Sequence, residues 1–313
     1  MQKRAACELP SFFALIRSHS AWSHSFPYNR FASTGDCELF RTKNVVYCSM
    51  DPFLSSRGKF LHRFESFQAE LDQLEIPCVW LSSRCRLQLD EPRRRAGHTE
   101  PFIAEDGCGV YLPEDYFHIK PAKTVRLGRF TCIPIAKQQP AAAEALESLA
   151  EEAKVPVVPL RSLSSRELAQ NVGLPKQEAE LARQRDFDEP FFFAGSGDED
   201  IVRFKVLAQQ KGFSLREQGV FWSMAVGADI RRCIRELGDL YDRSLRSHAN
   251  RFAIAAPHDS ASILPACDRG IRLTSNSKSP SETSPQHSTR FSEIPVAVSD
   301  LWDKVVGYLT SPG

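Results

Sequence analysis

Three short polar stretches each follow an apolar or β-branched run. Ser49–Met50–Asp51 follows Val45–Val46–Tyr47–Cys48, Ser82–Ser83–Arg84 follows Cys78–Val79–Trp80–Leu81, and Glu105–Asp106–Gly107 follows Phe102–Ile103–Ala104. A carboxylate such as Asp51 suits proton transfer or a divalent cation, and Ser82 and Ser83 beside Arg84 offer donors to an anion. Farther on, Gly227–Ala228–Asp229–Ile230–Arg231 and His258–Asp259–Ser260 bring more carboxylates. Arg185 either grips an anion or pairs with Asp186 or Asp188 at the surface. His258 beside Asp259 looks catalytic by residue type alone. Plainer roles exist for each: Asp51 as a loop residue before Pro52, Asp259 as a turn or cap residue. Ser49 would need an activating base to act as a nucleophile, and none lies close in sequence.

The elements that must hold these residues follow from periodicity. Asn44 to Cys48 and Ile76 to Leu81 suit buried strands. Between them, Phe64, Phe67, Leu71 and Leu74 mark a helical face over 60–74. A charge-rich helix follows over 84–96, with Arg93–Arg94–Arg95 expected on its exposed side, and then the strand at Phe102. Strand and helix alternating in this way predict a parallel sheet with crossover helices, whose ligands gather at the carboxyl edge. Residues 116–224 have another texture: strand-like pieces at 130–135, 155–160 and 191–193, a helix over 141–153, and a second helix capped at Ser164 with Glu167 behind it. The acidic run Gly195 to Asp200 reads as a solvated hairpin turn. A strong helical period returns over 229–245, and a strand over 251–256. Residues 274–293 are polar and read as a loop. A closing helix is expected over 296–309.

The chain has 313 residues, 40 basic against 39 acidic, for a net charge of +1. That balance gives no electrostatic reason to expect nucleic acid or an anionic membrane as a partner. Nine cysteines are scattered without a CxxC pair, which argues against structural zinc and for reduced thiols in a cytoplasm-like compartment. No apolar run approaches the roughly 18 residues of a membrane-spanning helix. Residues 1–43 are expected to form a poorly ordered amino-terminal extension; a targeting peptide or an upstream start are the alternatives.

Two stretches carry a resemblance. Ser82–Ser83–Arg84 with Glu100–Pro101–Phe102–Ile103–Ala104–Glu105–Asp106–Gly107 and Pro113–Glu114–Asp115–Tyr116–Phe117 is similar to the SSKT and PFIxENGxxIxxPxxYF runs of the mannosyl-3-phosphoglycerate phosphatases, a family of the haloacid dehalogenase (HAD) superfamily. Gly173–Leu174–Pro175 and Leu181–Ala182–Arg183–Gln184–Arg185, ending at Glu189, resemble that family's cap pattern, GxP then LAxxRxxxE. The resemblance covers about residues 44 to 310. It implies an α/β protein with a doubly wound parallel-sheet core over 44–115 and 225–313 and an inserted α+β cap over 116–224.

It also implies a chemistry: magnesium-dependent hydrolysis of a sugar-linked phosphoglycerate, releasing a compatible solute such as mannosylglycerate. In that chemistry one aspartate attacks phosphorus, a second protonates the leaving alkoxide, and a lysine holds the phosphate. Here the family's DxDGT stands as Ser49–Met50–Asp51–Pro52–Phe53, so Ser49 replaces the nucleophile while Asp51 keeps the acid position. Ser82, Ser83, Arg84 and Arg185 remain for phosphate or substrate. Ile230 replaces the lysine. Asp259, with the backbone oxygen of Asp51, is left as a weak magnesium site, since Ile263 replaces the other carboxylate. Three functions stay open: a member of that family with impaired or lost catalysis, an active phosphatase using a rearranged site at Asp51 and Asp259, or a non-catalytic module that binds a phosphorylated sugar or a protein.

Overall fold

A computed structural model describes residues 44–275 and 290–311. The proposed extension over 1–43 and most of the expected 274–293 loop lie outside the described residues. The chain begins with β1 (Asn44–Ser49), α1 (Phe64–Gln73), β2 (Cys78–Leu81), α2 (Arg86–Arg95) and β3 (Phe102–Ala104). It continues through β4 (Gly109–Leu112), β5 (Val125–Leu127), β6 (Phe130–Pro134) and α3 (Gln139–Ala153). Next come β7 (Val157–Pro159), α4 (Ser165–Val172), α5 (Lys176–Ala182), β8 (Glu189–Phe193) and α6 (Asp198–Gln210). Then β9 (Phe213–Gln218), β10 (Phe221–Val226), α7 (Ile230–Leu245), β11 (Asn250–Ala255) and α8 (Ser260–Ile263) follow. β12 (Arg269–Thr274), β13 (Phe291–Pro295) and α9 (Leu301–Thr310) complete the order.

The main sheet runs β13-β12-β11-β1-β2-β3-β4-β6-β5. From β13 to β3 it is parallel; beyond β3 it is antiparallel. β1 shows why the sequence folds this way. Alternate side chains of a strand face opposite sides, and Val46 and Cys48 join one apolar layer with α1 and α9 while Val45 and Tyr47 join another with α7. Both faces are covered, so nearly every residue of β1 is apolar. In the first layer Phe67 stacks on Trp302 at 4.2 Å, and Phe53 and Phe64 pack around them. Each such ring, fully buried, contributes about 1.5–3 kcal/mol.

A second sheet, β7-β8-β10-β9, is antiparallel and forms the cap. α3 and α6 cover one of its faces through Leu146, Leu149, Phe204 and Ala208. The other face, carrying Ser214, Arg216 and Gln218 of β9, turns toward the core. The chain crosses between core and cap twice, side by side, where the Lys137 amide donates to Val226 O at 2.9 Å.

Several expectations move. β5 and β6 lengthen the core sheet, so the chain leaves the core near residue 137 rather than 116. Asp198, Glu199 and Asp200 open α6 instead of a hairpin turn, because the exposed amides of a helix start favour acidic side chains. Thr274 and residues 291–293 belong to paired strands. α1 starts at Phe64, and Leu74 is a helix cap with 40% exposure rather than a core residue. Arg93 is buried, not on an exposed face. The cap of α4 forms as read, Ser164 and Glu167 bonding reciprocally. The seven cysteines among the described residues are unpaired and buried. No helix among the described residues is long and apolar enough to cross a membrane.

Candidate functional site

Parallel strands deliver their last residues to one edge, and here β1, β2, β3 and β11 deliver Ser49, Ser82, Glu105 and the 256–259 turn. Asp51, just past β1, is held by two donors: the Ser82 hydroxyl at 2.5 Å to Oδ1 and the Ser83 amide at 2.9 Å to Oδ2. Arg84 turns its guanidinium onto the carbonyls of Leu54 and Ser55, at 2.9 and 2.7 Å, while bordering the same pocket. The Ser49 hydroxyl lies 3.4 Å from Asp259 Oδ2, and His258 Nε2 approaches the same oxygen at 3.2 Å. That bond and the neighbouring charge raise the His258 imidazole above its ordinary value. Ser49 thus pairs with Asp259 and Ser82 with Asp51, both at the same sheet edge.

The two hydrophobic replacements are built into the core. Ile263 is fully buried in the layer beside α7, and Ile230 begins α7 with little exposure. Gly107 explains how α7 reaches the site: its φ is +89°, and a Cβ there would stand 2.6 Å from Ile230 N and Cα. Gly107→Ala is expected to lower stability by about 2–3 kcal/mol, read as a drop in thermal midpoint; an unchanged midpoint would contradict this packing. The donor set fits magnesium poorly. Magnesium favours several oxygens with one or two carboxylates, and a hydroxyl and an alkyl chain stand where the resemblance implies carboxylates. Asp259 already shares Oδ2 with Ser49 and His258, and no group of three metal-capable side chains converges among the described residues. Asp259 and the Asp51 backbone oxygen are thus a sparse donor set for the magnesium that the resemblance implies.

The cap closes the site from above. A cavity of about 970 Å³ runs between Asp51, Arg84, Asp106 and Asp259 on the core and Arg216 and Phe221 on the cap. Gln218 spans it, donating to Asp106 Oδ2 at 2.9 Å. Burial, then the charges of Asp51 and Asp259, raise the Asp106 carboxyl to about 7, against the pull of Arg216. Among the described residues the Arg216 side chain makes no hydrogen bond or ion pair beyond its electrostatic pull on Asp106, so its guanidinium can meet a ligand. Arg185 pairs with Asp188 as one of its two readings had it, but buried rather than at the surface: the pair is two-pronged, and Arg185 also donates to Ser83 O at 2.9 Å. It holds the Ser82–Ser83 loop while bordering the cavity. Asp186 pairs instead with Arg86 and Tyr111.

The chain is 25% identical over 209 residues to a glucosyl-3-phosphoglycerate/mannosyl-3-phosphoglycerate phosphatase of Persephonella marina, covering 64% of this chain and 73% of that one. A phosphatase of the same name from Methanococcoides burtonii is 22% identical over 227 residues, 71% of this chain and 80% of the relative. Among solved structures, a HAD-superfamily phosphatase from Bacteroides thetaiotaomicron superposes with a TM-score of 0.57 at 18% identity, over 89% of this chain and 99% of its own. The chain has the fold of haloacid dehalogenase-superfamily hydrolases. A HAD subclass IIB sugar phosphatase shares the fold at a TM-score of 0.53 and 11% identity, over 85% and 98% of the two chains. No family model matches the chain. Glu105 and Asp106 were marked from sequence only as a strand-end segment without a role, and Arg216 and Gln218 were not singled out. The alternation Phe213–Ser214–Leu215–Arg216–Glu217–Gln218 held a signal for the last two, since one face of a strand there is polar.

Proposed function

We propose that this HAD-fold protein binds a phosphorylated small molecule of the sugar–phosphoglycerate kind in the cavity between core and cap, with little or no turnover. The observation that carries the proposal is at Ser49. A hydroxyl facing Asp259 at 3.4 Å stands where the chemistry needs a carboxylate nucleophile. An aspartyl phosphate hydrolyses readily; a serine phosphate is a stable ester. Ile230 supplies no charge to the phosphoryl oxygens, and phosphoryl transfer depends on such charges. Asp51 is engaged by Ser82 and Ser83, and the carboxylates that share its cavity, Asp106 and Asp259, are held by Gln218 and by Ser49 and His258. Arg216 supports the binding half of the reading, because an unpaired guanidinium facing a cavity suits an anion.

The test is direct. With magnesium and a panel that includes mannosyl- and glucosyl-3-phosphoglycerate, phosphate release is expected to stay at background. Loss of a covalent nucleophile costs on the order of 10⁶-fold in a well-studied case. The same compounds should raise the thermal midpoint without being hydrolysed. Brisk release abolished by Asp51→Asn would overturn the proposal.

A further inference from the structure

The hydrogen bonds at Asp51 say more than that it is well held. The Ser82 hydroxyl has one proton. It already accepts the Arg84 amide at 3.1 Å, so the proton goes to Asp51 Oδ1, 2.5 Å away. The Ser83 amide has one hydrogen, spent on Asp51 Oδ2 at 2.9 Å. Both donors that an anion would meet at this strand end are therefore committed, one to each oxygen of a single carboxylate. The Arg84 guanidinium, which borders the same cavity, is turned onto Leu54 O and Ser55 O. Ile230 offers no charge with which an incoming anion could outcompete Asp51. Arg185 holds Ser83 O from the far side, so the loop does not swing to free its amide.

We propose that Ser82 Oγ and the Ser83 amide form an oxyanion cradle whose resident is the chain's own Asp51 carboxylate, so that a phosphate group enters only by displacing it. This rests on the cavity taking a phosphorylated ligand, and it makes Asp51 the residue that sets the affinity. A carboxylate fits because it presents two oxygens to two donors, as one edge of a phosphate would. Displacement also brings two anions together in a pocket already holding Asp106 and Asp259. Charge and occupancy both oppose phosphate while Asp51 remains in place.

The experiment titrates inorganic phosphate into the full chain by calorimetry, with Asp51→Asn and Asp51→Ala beside the wild type. Affinity is expected to rise from Asp to Asn to Ala. The alanine variant should bind at least about tenfold more tightly, equal to about 1.4 kcal/mol. Asn keeps the shape and removes the charge, so a gain of a few fold is expected there even if the alanine variant folds poorly. Adding Ser82→Ala to Asp51→Ala should cancel the gain, because it removes a cradle donor. If wild type and both Asp51 variants bind phosphate equally, and Arg216→Ala weakens all of them, displacement is wrong while the cavity still takes phosphate. If none binds, the freed cradle is no phosphate site and the ligand class proposed above falls with it.

Discussion

Glu105→Ala is expected to lower the stability of this protein by about 4–6 kcal/mol, since each buried donor left without an acceptor costs about 1–3 kcal/mol. The reason lies in one side chain holding three consecutive amides. Glu105 Oε1 accepts the Asp186 amide at 3.0 Å, and Oε2 accepts those of Phe187 and Asp188 at 2.8 and 3.0 Å. Glu105 itself sits at the end of β3 in a left-handed conformation, φ 53°, which aims it across to the cap. Burial and the nearby Asp188 raise its carboxyl to about 8, while Arg185 and the same amides pull the other way. For a chain of this size the loss corresponds to a thermal midpoint about 10–15 °C lower. Glu105→Gln is expected to fall between, because its amide nitrogen would face a backbone N–H where an acceptor is needed. A midpoint within 2–3 °C of wild type for the alanine variant, roughly one kcal/mol on the same scale, would show that water or a shift of the segment satisfies the three amides.

This clamp ties the seam to the site. The segment gripped by Glu105 starts beside Arg185, which bonds Asp188 and Ser83. Asp188 also receives a short hydrogen bond from the Ser223 hydroxyl of β10. A path of buried polar contacts therefore runs from β3, through the cap, back to the loop that carries the cradle donors. Buried networks of this kind specify one arrangement when every member is satisfied. This network joins the strand-end loop of the cavity to the cap.

Part of this was legible in sequence for physical reasons. β1, β2 and α7 are buried by alternation or by a helical stripe, and Ile230, Cys233, Ile234, Leu237 and Leu240 face the core as the period predicted. Ser49, Ser82 and Asp259 share one sheet edge because parallel strands end there, a consequence of topology alone. The Glu105 clamp was not legible, since it joins residues some eighty positions apart through backbone amides, which carry no sequence signature. Arg185 showed the limit of reading charge by type: nothing local distinguishes an arginine that meets a ligand from one sealed against an aspartate. The run from Gly195 to Asp200 misled because glycine and acids mark turns and helix starts alike.

Arg93 is the other case where residue type pointed outward and packing points in, and its removal should be costly. Arg93→Ala is expected to destabilise by about 3–5 kcal/mol, the usual cost of breaking a buried charged cluster. Arg93 donates from Nε to His98 Nδ1 at 3.0 Å and from Nη2 to Glu100 O at 2.7 Å, with its guanidinium 4.1 Å over the Phe102 ring. Because the guanidinium only donates, His98 Nδ1 must accept, which leaves the proton on Nε2 for Cys78 O at 2.7 Å. His98 is therefore held neutral: burial first, then the Arg93 charge, push it well below its ordinary value. A group whose folded value is lowered contributes stability above its unfolded value of about 6.5 and loses it as pH falls toward the folded value, at up to about 1.4 kcal/mol per pH unit. Asp106 and Glu189, raised by burial to about 7, carry the opposite sign over the same range. The difference between wild type and His98→Asn isolates the imidazole. Urea unfolding at pH 7 and pH 5 should show the wild type losing more stability than the variant on acidification. Equal losses would mean that His98 takes up its proton in the folded state, and that Arg93 does not sit against it as described.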